Sequence, residues 1–371
     1  MFFKIELEQN SVLSQFEIDG LENLLQSGAE GTHLPFANRA TLYEILDIPG
    51  LGARALGYIK KCISQFSFLA SFENRLAHYV VVRSGCSQAF RGRTGNWVVP
   101  LNKFCNSHNC LRIVVLGENL NDARIYLNLS KLLSKHQELI SYFNFSFDFE
   151  SGGGHTTGDV LIEKIEQGRF VICLVDSDKA SENSPIGQTA NKCQIELDSD
   201  VIWRAYLIIL PAKSIENILP TGLVRLAVEN GQTLSVASKV DFFIANDLAD
   251  IVSYVNLKKG THLSDVFKYE HEKSVVDWKN YSSRLAEVGI LNHACVDAWA
   301  CQSNGPDCSE QGCRVAGGYG GKLVRRVSDW LLSLEHTSDT REFLSPHDFR
   351  QFGSIADQIV ESCIASPVQR S

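Results

Sequence analysis

The sequence lacks any long apolar run, and this absence excludes one class of protein. A helix that crosses a membrane needs about 18 or more consecutive apolar residues, and no such run occurs in the chain. The first residues include Glu6 and Glu8, acidic residues that stand too early for a secretory signal peptide. We therefore expect a cytoplasmic protein without a membrane partner.

The chain also lacks an excess of positive charge. Its 35 Lys and Arg residues are outnumbered by 43 Asp and Glu residues, and the net charge of −8 gives no general basic surface for nucleic acid. Local basic patches and metal ions would have to bind any polyanion. The sequence contains no Gly-x4-Gly-Lys-Ser/Thr loop, so we expect no nucleotide-hydrolysing site of that type.

The composition and length indicate a globular protein with more than one domain. Hydrophobic residues make up 44% of the 371 residues and charged residues 21%, which excludes an intrinsically disordered chain. The length is large for a single core. We predict an N-terminal helical module over residues 1–110, a central core over 111–222 and a mostly helical C-terminal region over 223–371.

The central region predicts an α/β fold with a parallel sheet. Short apolar runs rich in β-branched residues are typical of buried parallel strands, and helical patterns separate them. In such sheets, ligands bind at the carboxyl ends of the strands. The predicted strands cover residues 112–116, 142–149, 170–175 and 205–210, and the predicted helices cover residues 120–139 and 157–167.

Carboxylates follow these strands and indicate a site for a divalent metal. Glu118 and Asp122 follow the first strand, Asp176 and Asp178 follow the third, and Glu216 lies six residues after the last. Carboxylate oxygens are the ligands that Mg²⁺ prefers, and the ion activates water and polarises a phosphodiester. The alternative is that these acids cap helices, with Asp122 stabilising the first turn of its own helix.

The order of these motifs resembles the Toprim domain, which primases, topoisomerases and a group of nucleases share. The matching segments are Glu118–Asp122, with Asn119 where many members have Gly, and Asp176-Ser177-Asp178. Residues 215–217, Ile-Glu-Asn, are similar to a segment of nucleases of the OLD type and of stand-alone Toprim nucleases in prokaryotic defence systems. Together the three matches cover roughly residues 110–220.

This resemblance implies a nuclease dependent on Mg²⁺ or Mn²⁺ that cleaves nucleic-acid phosphodiester bonds. Its implied catalytic residues are Glu118, Asp176 and Asp178, and its implied metal ligands are these three with Asp122 and Glu216. It also implies a role in antiviral defence, beside a separate ATPase partner. DNA, RNA and tRNA remain open as substrates, and so does assembly into a homo-oligomer.

Two other functions use the same residues. A primase or topoisomerase would hold its metal with the same carboxylates, although no further module of either enzyme is recognisable. A non-catalytic nucleic-acid-binding protein on a Toprim scaffold is favoured by the replacement of the usual Gly with Asn119.

A second nucleic-acid motif lies near the N-terminus. The segment from Ile48 to Gly52, Ile-Pro-Gly-Leu-Gly, stands between two predicted helices and resembles the helix-hairpin-helix element of DNA-binding proteins. Backbone amides at Gly50 and Gly52 would approach a phosphate at a helix N-terminus, with Arg54 as counter-charge. The alternative is a tight turn between two packed helices.

Four of the eleven cysteines stand close together and raise the question of a zinc site. Thiolates can hold structural Zn²⁺ in tetrahedral geometry, but the usual Cys-x2-Cys spacing is absent. The alternative is a set of ordinary reduced thiols. The four cysteines are Cys295, Cys301, Cys308 and Cys313.

Overall fold

The computed structural model describes residues 1–8, 12–198, 202–300, 313–333 and 337–368. The chain divides into two units. The first contains Met1–Leu174, Lys192–Ile208 and Gly353–Ser371, and the second contains Val175–Asn191 and Ile209–Phe352. This grouping differs from the three regions drawn from the sequence, 1–110, 111–222 and 223–371. That division was drawn from motifs and stays a prediction.

The N-terminal part of the first unit contains a five-stranded sheet, although this part was expected to be helical. The strand order is β2-β1-β3-β5-β4, with the first strand paired in parallel to both of its neighbours. Strands of two to five residues are too short to show a clear alternation in sequence. The strands are β1 (Phe2–Glu6), β2 (Leu34–Ala37), β3 (Val80–Arg83), β4 (Phe90–Arg91) and β5 (Trp97–Pro100), and the helices are α1 (Gln15–Ala29), α2 (Arg39–Leu46), α3 (Ala53–Ser64) and α4 (Phe66–Glu73).

The central part of the chain confirms the predicted α/β fold. Its four strands are parallel, in the order β10-β9-β6-β8. Both middle strands are buried along their whole length, as their apolar sequences require. The elements are β6 (Ile113–Gly117), α5 (Leu120–Leu133), α6 (Gln137–Ile140), β7 (Asn144–Phe145), β8 (Phe147–Ser151), α7 (Thr157–Glu166), β9 (Val171–Val175), α8 (Gln188–Asp198) and β10 (Ala205–Ile209).

One predicted strand is displaced. The strand expected over residues 142–149 begins at Phe147, because residues 144–145 form the separate strand β7. That strand pairs in antiparallel fashion with a C-terminal strand, Ile364–Ala365. A partner more than 200 residues away could not be inferred from local sequence.

The C-terminal region is mostly helical, with one two-stranded antiparallel ribbon in the second unit. Trp278 and Phe243 are fully buried in the core of that unit. No helix within the described residues is long and apolar enough to cross a membrane. The elements are α9 (Thr221–Ala227), α10 (Gly231–Ala245), α11 (Ala249–Val252), β11 (Gly260–His262), α12 (Leu263–Val266), α13 (Glu272–Glu287), α14 (His293–Asp297), β12 (Arg314–Gly317), α15 (Leu323–Ser333), α16 (Pro346–Cys363) and β13 (Ile364–Ala365).

Candidate functional site

The turn after β9 holds two of the predicted carboxylates. Ser177 is buried, and its hydroxyl donates to the carbonyl oxygen of Ala212 at 2.7 Å. The backbone amide of Asp178 donates to the carbonyl oxygen of Lys213 at 2.9 Å. Asp176 is half-buried and Asp178 is exposed. Ser177 therefore stabilises the turn through its hydrogen bond, while the carboxylates of Asp176 and Asp178 on either side of it are at least partly exposed.

Asp178 has a backbone conformation that few residues adopt. Its φ angle is +51°, in the left-handed region that Asp and Asn tolerate better than other non-glycine residues. Gly187 packs against it, since a Cβ there would lie 2.5 Å from the Cβ of Asp178. Backbone strain of this kind concentrates at functional sites, where the surrounding structure maintains it.

The structure joins Asp176 to the segment that contains Glu216. One oxygen of Asp176 accepts a hydrogen bond from the backbone amide of Ile215 at 3.1 Å. Two of the three motifs of the resemblance, Asp176-Ser177-Asp178 and residues 215–217, therefore meet within the second unit.

Asn217 fixes this segment by hydrogen bonds on both sides. Its side-chain oxygen accepts from the amide of Ser214 at 3.1 Å and from the Ser214 hydroxyl at 2.8 Å. Its amide nitrogen donates to the carbonyl oxygens of Val252 at 2.7 Å and Val255 at 2.8 Å. The third position of the motif is thus a structural clamp that holds the residue before it in place.

Glu216 is a buried acid without a protein partner in the described part of the chain. The residue is only 4% exposed, and its side chain makes no hydrogen bond or ion pair with any described residue. Its carboxylate oxygens are not among the buried polar atoms that lack a partner, so they reach the surface although the rest of the residue is covered. A partly desolvated carboxylate is costly without a counter-charge. A bound cation would supply that counter-charge.

Lys213 belongs to the same site, and the sequence analysis did not identify it. Its ammonium donates to the carbonyl oxygens of Asp178 at 3.4 Å and Lys179 at 3.3 Å. Burial lowers the pKa of this ammonium, while the carboxylates of Asp178 and Asp176 oppose the shift. Its position three residues before Glu216 was the only signal in the sequence.

The loop that follows Asp178 is anchored on α13. The indole nitrogen of Trp278 donates to the carbonyl oxygen of Ala180 at 2.7 Å. Asp277 accepts from the backbone amide of Asn183 at 3.1 Å and from its side chain at 3.0 Å. Such supporting contacts hold a functional loop in one geometry.

In the first unit, Glu118 follows β6 directly. Its carbonyl oxygen accepts from the backbone amides of Gly153 at 3.0 Å and Gly154 at 3.3 Å. The pKa of the buried Cys173 thiol is raised by its hydrogen bond to Cys193 and by burial, and the charge of Glu118 adds to this shift. The Glu118 side chain is half-buried, and its charge acts on these thiols.

Asp122 caps its own helix, as the alternative interpretation expected. Its carboxylate accepts from the backbone amide of Asn119 at 3.1 Å and from the Asn119 side chain at 3.1 Å. Together they form a capping box at the start of α5. A metal-binding role for Asp122 stays a prediction.

Two helices, α2 and α3, flank the turn at Ile48–Gly52 as expected, and the resemblance to the helix-hairpin-helix element stays a prediction. However, the amide of Gly52, predicted to meet a phosphate, donates to the carboxylate of Glu22 at 2.9 Å. Arg54 pairs with Glu30 at 3.0 Å. Gly50 has a φ of +91°, which explains a glycine there. Binding of nucleic acid at this turn stays a prediction.

The structure describes two of the four clustered cysteines. Cys295 and Cys313 are buried, and their sulfur atoms are 3.8 Å apart. Cys301 and Cys308 lie outside the described residues. Binding of structural zinc by the four cysteines therefore stays a prediction.

Across the described part of the chain, no three His, Cys, Asp or Glu side chains are grouped so as to hold a metal ion by themselves. Neither a scan against models of known protein families nor searches of curated proteins and of solved structures found a match. The functional interpretation therefore depends on the motifs and on the geometry around Asp176 and Glu216.

Proposed function

We propose that this protein is a nuclease that cleaves nucleic-acid phosphodiester bonds with Mg²⁺ or Mn²⁺. The observation that carries the proposal is Glu216, a residue only 4% exposed whose carboxylate reaches the surface and has no partner among the described residues. It lies in a segment hydrogen-bonded to Asp176. A divalent cation with its waters would neutralise the charge of these two carboxylates.

The residues fit Mg²⁺ better than a metal held entirely by protein. Mg²⁺ keeps several waters and is commonly bound by one or two carboxylates with substrate phosphates. A preformed group of three ligands is therefore not required. Asp176 and Glu216, whose segments are joined by a hydrogen bond, would hold the ion together with waters and the substrate phosphate. Asp178 and Glu118 are proposed from the resemblance alone, as a further ligand and as a ligand and catalytic residue.

When bound, the metal polarises the phosphodiester and lowers the pKa of a bound water. The chain itself supplies positioning and charge. Asn217 holds Glu216 in place, and the amide of Ile215 orients Asp176. Lys213 brings a half-buried positive charge next to the turn of Asp178, where it would balance the charge of a phosphate.

The resemblance supports several broader parts of the proposal. These are a role in antiviral defence and a separate ATPase partner, and homo-oligomer formation stays open. A cytoplasmic location is proposed from the sequence, with its early acidic residues and its lack of a long apolar run. The cysteines at described positions carry free thiols, which suits a reducing compartment.

A non-catalytic nucleic-acid-binding protein on the same scaffold is the second candidate. One observation favours it: Asp122 is engaged in capping α5 through Asn119, the residue that replaces the usual glycine of the first motif. That candidate predicts binding without cleavage.

Cleavage of end-labelled DNA and RNA separates the two candidates. The purified protein should cut at least one of these substrates with Mg²⁺ or Mn²⁺, and EDTA should stop the reaction. Binding of both substrates with no cleavage under any metal condition would favour the second candidate.

A further inference from the structure

An aromatic cleft in the first unit lies outside the acidic site. It has a volume of about 790 Å³, within the range of about 300–1,000 Å³ that small-molecule sites usually show. The end of α3, the start of α4 and residues 139–143 form most of its wall, and Ser366 and Pro367 complete it. The buried side chains of Tyr58 and Cys62 lie at its base.

Two aromatic rings of the cleft face solvent. Phe68 is 37% exposed and Tyr142 is 62% exposed, with their ring centroids 5.5 Å apart. Phe143 stacks beside Phe68 at 5.5 Å and contacts the fully buried Phe72 at 4.5 Å. The exposed rings are therefore supported by a fixed aromatic base. Rings of this kind provide stacking surfaces for unpaired nucleobases.

The charged side chains that line the cleft are positive. Among the residues that the structure describes, Arg39 and Lys61 line it, and no acidic residue does. The Arg39 guanidinium lies 5.8 Å from the centroid of the Phe66 ring, and the Lys61 ammonium donates to the carbonyl oxygen of Pro367 at 3.1 Å. Neither cation forms an ion pair with a described carboxylate. In a chain of net charge −8, this local excess of cations favours an anionic ligand.

We infer that this cleft binds a nucleotide, with its phosphate held by Arg39 and Lys61. Its base would stack on the more exposed Tyr142 ring and pack against Phe68, whose ring is tilted by 60° from that of Tyr142. Stacking and phosphate contact are the two interactions that proteins use for unpaired nucleotides. The ligand comes either from a single strand of nucleic acid or from a free mononucleotide. Both sources present the same chemistry, and neither requires the cleft to take part in cleavage.

Equilibrium binding to the full chain in EDTA tests this inference without dependence on the nuclease proposal. One arm measures the fluorescence anisotropy of a labelled thymidine oligonucleotide of about ten residues. The other arm measures binding of adenosine and uridine 5′-monophosphates by calorimetry. Oligonucleotide binding identifies a strand as the ligand, and mononucleotide binding alone identifies a free nucleotide. Binding of neither probe overturns the inference.

Matched variants localise the binding. Phe68→Ala with Tyr142→Ala should weaken it by about tenfold or more. Phe16→Ala, which removes a 67% exposed ring of α1 outside the cleft, should not change it. Thermal melting shows whether both variants remain folded. Equal affinity in the double variant and the wild type would exclude the cleft.

Substitution of two neighbouring lysines on α3 tests the role of positive charge in the cleft. Lys61 lines the cleft and Lys60 does not. Lys61→Gln should weaken oligonucleotide binding and reduce the slope of log affinity against log salt by about one, while Lys60→Gln leaves the slope unchanged. Equal effects of the two changes would indicate diffuse attraction to α3 and would contradict a site in the cleft.

Discussion

The turn at Ile48–Gly52 and the segment at residues 214–217 are two places where the sequence predicts phosphate chemistry, but their polar groups are satisfied differently. In the first unit, the amide of Gly52 already donates to Glu22 at 2.9 Å. In the second unit, Glu216 is buried without a hydrogen bond or ion pair to a described residue. The Gly52 amide therefore has a hydrogen-bond acceptor within the chain, whereas the Glu216 carboxylate has no donor or cation among the described residues.

This difference indicates where a ligand is required. A polar group paired within the chain stabilises the fold whether or not anything binds. A partly desolvated carboxylate without a partner raises the free energy of the folded protein until a cation arrives. The second segment is therefore the stronger candidate for chemistry.

The largest effect is expected at the turn after β9. Asp176→Asn with Asp178→Asn should reduce cleavage by at least about two orders of magnitude, as loss of directly acting carboxylates does. Asn is the replacement of choice, because it tolerates the φ of +51° at residue 178. Cleavage assays and thermal melting of the double variant measure the two effects. Unchanged cleavage in a folded double variant would remove these residues from the site.

Glu118 and Glu216 are expected to differ in their response to metal. Glu118→Gln should be nearly inactive at any metal concentration, since this residue directly follows the middle strand β6 and is implied to be catalytic. Glu216→Gln should be weaker than the wild type but partly rescued by excess Mg²⁺ or by Mn²⁺. A metal titration of both variants checks this order. Full recovery of Glu118→Gln with an inactive Glu216→Gln would reverse the two roles.

Thermal melting gives a second measurement for Glu216 that does not require activity. A ligand that binds only the folded state raises the melting temperature. Mg²⁺ should therefore stabilise the wild type and stabilise Glu216→Gln less, while Glu216→Gln melts at a higher temperature than the wild type in EDTA. Glu229→Gln, an exposed acid of the same unit, is the control and should respond to Mg²⁺ as the wild type does.

The parallel sheet could be predicted from sequence because its strands are buried apolar runs, and the structure confirms three of them within one or two residues. The acidic positions could be predicted because they follow those strands directly. The partners of these residues could not be predicted. Asn217 is bonded to Val252 and Val255, and Gly52 to Glu22, which are contacts between residues 30 or more positions apart.

Substitution of Asn217 tests whether the segment at residues 214–217 depends on the hydrogen bonds of this side chain. Asn217→Ala removes two acceptor and two donor contacts and leaves the carbonyl groups of Val252 and Val255 without this donor. The free energy of unfolding should fall by about 2–4 kcal/mol. Asn246→Ala, which removes one exposed bond to Phe242, should cost less than about 1 kcal/mol. Denaturant titration compares the two, and equal losses would contradict a special role for Asn217.

The smallest effect is expected at Glu22, and it tests the other side of the comparison. Glu22→Gln keeps an acceptor for the Gly52 amide but removes the negative charge at the start of α3. The loss of stability should be about 0.3–1 kcal/mol, because a charge at a helix N-terminus contributes that much. Glu44→Gln, an exposed acid on α2, provides the control for a simple change in net charge. If the amide of Gly52 serves only the fold, nucleic-acid affinity will be the same in both variants. If the turn binds phosphate, the Glu22 carboxylate competes with the phosphate for the Gly52 amide. Glu22→Gln alone should then bind nucleic acid several-fold more tightly. The gain should be the same for all nucleic-acid sequences, since phosphate contacts read no bases.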